Sequence, residues 1–407
     1  MNSIFQKLKE KLKSIQFIYS LNAFLKAGSN TRKTKALYSY YGKRAADLNL
    51  KYSESGAVKM VRDRLAERGI RINPLARGKL RIFWVGAHYS QDASGFLDGL
   101  KSFGEVITFQ NEESGYGLLF PQTSKTNMSE SEVLESNSRS LLKQVIKVHQ
   151  NRKIDLLMGQ MWVDVLDVEA LIKIQGMGIP TVNISMDDKL PDLWRKEKRK
   201  LMGSVGLANG LDLVLTTSPD TCLWYAVEGC QAIYWPLASD TKMFFPREPK
   251  IYDVVFVGGR YGIRGKLVQS IMATGINIEA FGPGFPNGFI NADKIAEVFG
   301  KAKIILGSGY VAYNTDILTI KLRDFDATMA GGLYLTNRNP ELLRLFEEGK
   351  EIECYDTIDE CISKIKFYLA NPDKLKAVAE AGLKKARENY TWEKNIGNAL
   401  KFIGLID

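Results

Sequence analysis

Short apolar runs that stop at glycine, separated by amphipathic stretches, occur in two successive series. This alternation constrains the fold more than any other feature of the chain. The first series comprises Arg81–Val85 (ending at Gly86), Glu105–Phe109, Ile154–Met158, Thr181–Ser185 and Asp212–Thr216, with helical stretches over 138–149 and 168–177. The second comprises Asp253–Val257, Asn277–Phe281, Lys303–Ile304–Ile305–Leu306, Gly332–Thr336 and Glu351–Cys354, with helical segments over 357–370 and 372–389. Strands apolar on both faces and separated by helices belong to parallel sheets covered on both sides. The expectation is an α/β chain with two Rossmann-like domains, 76–245 and 246–390, facing a cleft. A last helix, Thr391–Leu405, is placed to cross back to the first domain.

Residues 1–75 show no strand pattern. Ile4, Phe5, Leu8, Leu12, Ile15 and Ile18 share one helical face, and lysines occupy the other. This basic helical extension reads either as a peripheral membrane contact through residues 1–25 or as a helix docked on the body. Residues 112–135 are polar and read as a surface loop. Trp194–Lys200 reads as a basic run on a helix.

Composition narrows the function classes. The 407 residues are 45% hydrophobic and 25% charged, which excludes wholesale disorder. The four cysteines form no CxxC pair and there are only two histidines, so a zinc centre is not expected. Lysines interrupt the N-terminal apolar pattern and no run reaches 18 apolar residues, so neither a signal peptide nor a membrane span is expected. Together with the cysteine usage this suggests a cytoplasmic protein. The formal net charge of +10 points to anionic partners. Nucleic acid fits poorly, because aromatic residues are sparse among the basic ones.

Ligands of open α/β sheets sit at the carboxyl ends of the strands. The second half carries three glycine-rich turns there. In the first, Gly258 and Gly259 let backbone amides approach an oxyanion, and Arg260, Arg264 and Lys266 supply cations, as a diphosphate requires. The second, Gly282-Pro283-Gly284, is rigid and followed by Phe285. The third, Gly307-Ser308-Gly309, leads through Asp316 into a stretch holding Lys321, Arg323 and Asp326. A carboxylate at Asp326 could accept both ribose hydroxyls; the plainer reading is an exposed Arg323–Asp326 pair. In the first half, His88 after strand 81–85 and Asp187 and Asp188 after strand 181–185 are the candidates for acceptor proton chemistry. The plainer readings are a loop-ordering histidine and helix-capping aspartates.

The stretch Ile320–Thr336 resembles the donor-site helix of glycosyltransferases grouped with the spore maturation protein CgeB. The resemblance continues through Asn339-Pro340-Glu341, Cys354-Tyr355 and Ala370–Asp373 to Tyr390–Glu393, and reaches back to Phe256-Val257-Gly258 and Phe281–Gly284. It implies a GT-B fold, a nucleotide-sugar donor (a UDP- or GDP-sugar) in the second domain and an acceptor hydroxyl in the first. No metal is required, because helix ends and cations can neutralise the leaving diphosphate. Asp326 stands where the family has a ribose-binding glutamate. Leu318 stands where retaining relatives have a second glutamate that contacts the donor sugar, with Asp316 two residues earlier as its possible substitute. The expected activity is therefore glycosyl transfer to a glycan or other hydroxyl acceptor. A sugar-nucleotide epimerase and a non-catalytic carbohydrate- or anion-binding protein remain as alternatives.

Overall fold

The structure is a computed structural model, and it describes residues 28–70, 73–197, 200–311 and 317–407. Two parallel sheets form its frame. The first has six strands: β1 (Leu80–Val85), β2 (Gly104–Thr108), β3 (Leu156–Gly159), β4 (Thr181–Ser185), β5 (Leu213–Thr216) and β6 (Ala232–Tyr234). Their order is β6-β5-β4-β3-β1-β2. The second has five: β7 (Tyr252–Val257), β8 (Ile278–Phe281), β9 (Ala302–Leu306), β10 (Leu333–Asn337) and β11 (Glu353–Tyr355), in the order β8-β7-β9-β10-β11. Every pairing within both sheets is parallel. All six residues of β1 are buried, as a strand covered on both faces demands. β6 has no counterpart in the sequence reading, because three residues give too little pattern to read.

Residues 28–47 are helical and lie on the first domain, where Tyr41 is buried in an aromatic nest with Trp194 and Trp224. The lysine-rich face read over residues 1–25 lies outside the described residues. α1 (Glu54–Glu67) follows.

Two expectations change. The polar stretch 112–135 is ordered by its own side chains. Asn111 accepts from the amides of Glu113 and Ser114, and a two-residue hairpin pairs Gln110-Asn111 with Gly115-Tyr116. Helix Glu130–Asn151 then starts eight residues before the expected 138, because Ser129 and Glu132 cap it reciprocally. The basic run after Trp194 is not helical: a short turn, Pro191–Trp194, gives way to strands Lys196–Glu197 and Lys200–Leu201. Burying Trp194, whose indole donates to the Asp188 carbonyl at 2.6 Å, fixes the turn and breaks any helical phase.

The chain crosses between the domains twice, and the two crossings run side by side. Ser239, in the first, donates its amide to Tyr390 O at 2.9 Å; Trp392, in the second, donates to Ser239 O at 3.2 Å. The closing helix Trp392–Ile403 then packs on the first domain. Trp392 meets Phe96 edge-on, and Trp235 donates to Asn395 O at 2.9 Å. One continuous hydrophobic core consequently joins the facing sides of both sheets.

Candidate active site

At the carboxyl end of β7 the chain turns through Gly258, whose φ is 154° and whose amide donates to Phe281 O at 2.9 Å. Gly282 (φ 127°) lies against it: a Cβ there would stand 2.3 Å from the Gly258 carbonyl oxygen. Only glycines let the two turns touch.

Two arginines close over this floor. Arg264, at the first turn of helix Arg264–Met272, is 4% exposed. Its guanidinium lies over the Tyr261 ring at 4.0 Å, reaches the carbonyls of Gly259 and Ser308 only at 3.5 Å, and leaves Nε buried without a partner. Arg323 comes from farther along the chain, in the first turn of helix Leu322–Met329. Its guanidinium covers the Phe256 ring at 5.1 Å, with Nη2 2.6 Å from where a Gly258 Cβ would be and Nη1 buried and unpartnered. Burial, then the neighbouring Arg323, pushes Arg264 down to about 10. Ser308 Oγ is a third buried group without a partner. Neither arginine has a carboxylate partner among the described residues. Buried charge that lacks its counter-charge is costly unless a ligand supplies it. The arrangement concentrates positive charge and open donors as a multiply charged anion would require.

The other donor-side candidates fall around this seat. Arg260 is exposed at the rim, its amide donating to Pro283 O at 2.9 Å and its side chain passing Gly284 and Gly265. Lys266 is exposed on the helix begun by Arg264. Asp316 lies outside the described residues, and the helix expected after it begins only at Leu322, with Lys321 as its N-cap residue and Asp324 accepting from the Lys321 amide at 2.7 Å. Lys321 Nζ is paired across the cleft with Asp187 at 2.7 Å.

Asp326 departs from its expected place. It is 5% exposed and accepts from Ser239 Oγ at 2.7 Å, so its carboxylate faces the interdomain crossing, away from the glycine turns. Burial raises its pKa well above the usual carboxylate range. The side chain lies a turn into the helix, where the helix packs on the linker; Arg323, three residues earlier, projects back over the strand ends. No Arg323–Asp326 ion pair forms among the described residues.

In the first domain, His88 is exposed beyond β1 and stacks on Phe120 at 5.7 Å. Asp187, at φ 59°, accepts from Thr319 Oγ1 and Lys321 Nζ, both at 2.7 Å. Burial alone would raise its pKa, but Lys321, Thr319 and Arg264 bring it below the usual value. Asp188 is 1% exposed, with every oxygen engaged: Oδ1 by Ser185 and Tyr225, Oδ2 by Thr216, and the carbonyl by Trp194. It is a structural knot that cannot reach an acceptor, which corrects the expected proton-transfer role. Burial, moderated by those hydroxyls, lifts it to about 6.

Sequence reading passed over Asp92, a buried carboxylate. Asp92, four residues after His88, is 1% exposed, and its Oδ2 accepts from Trp84 Nε1 at 3.0 Å and Tyr116 Oη at 2.6 Å. Burial lifts it to about 6 against those two bonds. The available signal was its position in the short helix Tyr89–Asp92 that follows β1.

Residues 264–401 match the family model described as glycosyl transferase-like. Comparison with curated protein sequences gives no match. Among solved structures, sucrose-phosphate synthase from Thermosynechococcus elongatus aligns with a TM-score of 0.54 at 12% identity, covering 79% of this chain and 98% of that one. Anabaena HepE in complex with UDP and glucose aligns at 0.52 and 12% identity, covering 79% and 100%. A glycosyltransferase from Rickettsia africae aligns at 0.50 and 10% identity, covering 81% and 100%.

The fold is GT-B. The glycosyl transferase-like match begins at Arg264 and contains Arg323, so both guanidiniums belong to the matched segment. Domain and fold together make the chain a glycosyltransferase.

Proposed function

We propose that the chain moves a glycosyl group from a nucleoside diphosphate sugar to an acceptor hydroxyl of a glycan, and that it belongs with the CgeB-like enzymes. One observation carries the donor: the buried guanidinium of Arg264 and the half-buried one of Arg323, whose Nη1 is buried and unpartnered, converge without a carboxylate on paired glycine turns. A diphosphate fits this seat, since guanidinium forks and unobstructed amides suit phosphate oxygens. As the sugar–phosphate bond breaks, charge accumulates on the leaving diphosphate, and preorganised cations stabilise it there. Arg260 and Lys266 at the rim would attract the donor and meet its outer oxygens. These cations supply the charge that a divalent ion would otherwise bring, so the reaction is proposed to run without metal.

HepE, of the same fold, is described with UDP and with UDP-glucose. UDP-glucose is therefore the first donor to test. Thermal-shift titration with UDP and a panel of sugar nucleotides should raise the melting temperature by mass action. Arg264→Ala and Arg323→Ala should each abolish the shift; a full shift in both would overturn the donor seat. No helix among the described residues is long and apolar enough to cross a membrane. The enzyme is proposed to work in the cytoplasm, with residues 1–25 meeting the membrane face.

A further inference from the structure

One loop from each domain meets beside the donor seat. After Gly307-Ser308-Gly309 the chain runs out and returns: Val311 donates its amide to Ile317 O and Thr319 donates to Gly309 O, both at 3.1 Å. The returning arm leads directly into Lys321 and the helix start that carries Arg323. The loop after β4 grips this arm from the first domain. Thr319 Oγ1 and Lys321 Nζ both donate to Asp187 Oδ1 at 2.7 Å, and Lys189 Nζ donates to Leu318 O at 3.4 Å.

Asp187 is held there against two costs. Its φ of 59° lies in the left-handed region, uncommon for residues other than glycine. Burial opposes its charge, and Lys321, Thr319 and, beyond ion-pair distance, Arg264 keep it ionised. The influence is mutual: burial and then Arg323 depress Arg264, and Asp187 is among the groups that work against them. Asp187 thus supplies negative charge to the seat from the opposite domain. The contact is also within reach of a ligand, since the side chains of Lys321 and Asp187 are 18% and 36% exposed. A diphosphate on the two guanidiniums would repel the carboxylate and offer Lys321 phosphate oxygens in its place.

We propose that Asp187 is a built-in counter-ion of the donor seat, holding Lys321 across the cleft until a nucleoside diphosphate displaces it. The displacing ligand rests on the glycosyl-transfer reading. Binding is then an exchange, in which Lys321 passes from a carboxylate of one domain to the phosphates held by the other. The contact is autoinhibitory: each donor molecule must open the pair before it gains Lys321, so affinity is lower than the cations alone would give.

Calorimetric titration of the full chain with UDP tests this on the wild type, Asp187→Asn, Lys321→Met and the double variant. Asparagine tolerates the left-handed backbone and keeps an acceptor for Thr319 and Lys321 while losing the charge. Asp187→Asn should bind UDP about threefold or more tightly than the wild type, the scale of a partly exposed ion pair. Asp187→Gly, which suits the same backbone, should tighten binding as well. Lys321→Met should weaken UDP by a larger factor in the Asp187→Asn background than in the wild type, because wild-type Lys321 must first give up its carboxylate. A merely structural Asp187 would give weaker binding in both Asp187 variants and equal factors for Lys321→Met. UDP affinity unchanged or lowered in Asp187→Asn and Asp187→Gly overturns the proposal and leaves the donor reading in place. If UDP binds none of these proteins, the donor reading falls and the counter-ion role falls with it.

Discussion

Single residues divide here by whether their polar atoms are already spent. Asp188 has all its acceptors filled, so its removal should cost stability and not donor binding. Asp188→Ala leaves three buried hydroxyls without their partner, and a loss of about 2–4 kcal/mol is expected, read as a lower melting temperature with UDP affinity unchanged. The carboxyl also makes stability depend on pH. Its folded value, about 6, lies above the ordinary 3.8, so the native state holds the proton more tightly. That contribution is whole below about pH 4 and fades as pH rises through 6, by on the order of 3 kcal/mol. The melting temperature should fall between pH 4.5 and 7, and Asp188→Asn should flatten part of that fall. Much of this level was hidden from the sequence. Asp326 and Arg323 sit three apart on one short helix, yet one faces the linker and the other the anion seat. Burial and packing decide between them, and neither is written in the spacing.

At the scale of elements, the sequence was most readable where strands are buried on both faces. β1, β4, β5, β7 and β10 follow from apolar runs alone, and the glycine turns at their carboxyl ends located the anion seat. Legibility failed where local side chains override pattern. Ser129 and Glu132 extend a helix into a polar stretch, and Trp194 turns a basic run into a hairpin. Asp92 was hard to read because its one signal, a place just after β1, gives no sign of being buried under Trp84 and Tyr116. The turn at Gly258 is the element on which the donor seat depends. Gly258→Ala would place a methyl group 2.6 Å from Arg323 Nη2, on backbone at φ 154° that only glycine adopts easily. Displacing one guanidinium should weaken UDP at least tenfold by calorimetry. The core below the turn is untouched, so far-ultraviolet circular dichroism should stay as in the wild type.

For the whole molecule, the question is what sets the two sheets against each other. A continuous core and two adjacent crossings fix one side of the seam. The other side is held by charge. Lys189, on the loop after β4, pairs at 2.7 Å with Glu341, which follows β10; their side chains are 13% and 6% exposed. Burial raises Glu341 above the usual carboxylate range, and Lys189 pulls it part of the way back. A buried pair contributes little net stability, but losing one member strands the other. Lys189→Met should therefore lower stability by about 3–5 kcal/mol. Adding Glu341→Leu to that variant should restore much of the loss, because the stranded charge goes with it. Melting temperatures of the wild type and of the single and double variants measure the difference directly. A double variant no more stable than Lys189→Met would show that the seam depends on Glu341 itself and not on cancelling its charge. Lys189 follows Asp187 by two residues, and the Asp187–Lys321 contact also spans the cleft, so small-angle scattering should show a larger radius of gyration for Lys189→Met than for the double variant.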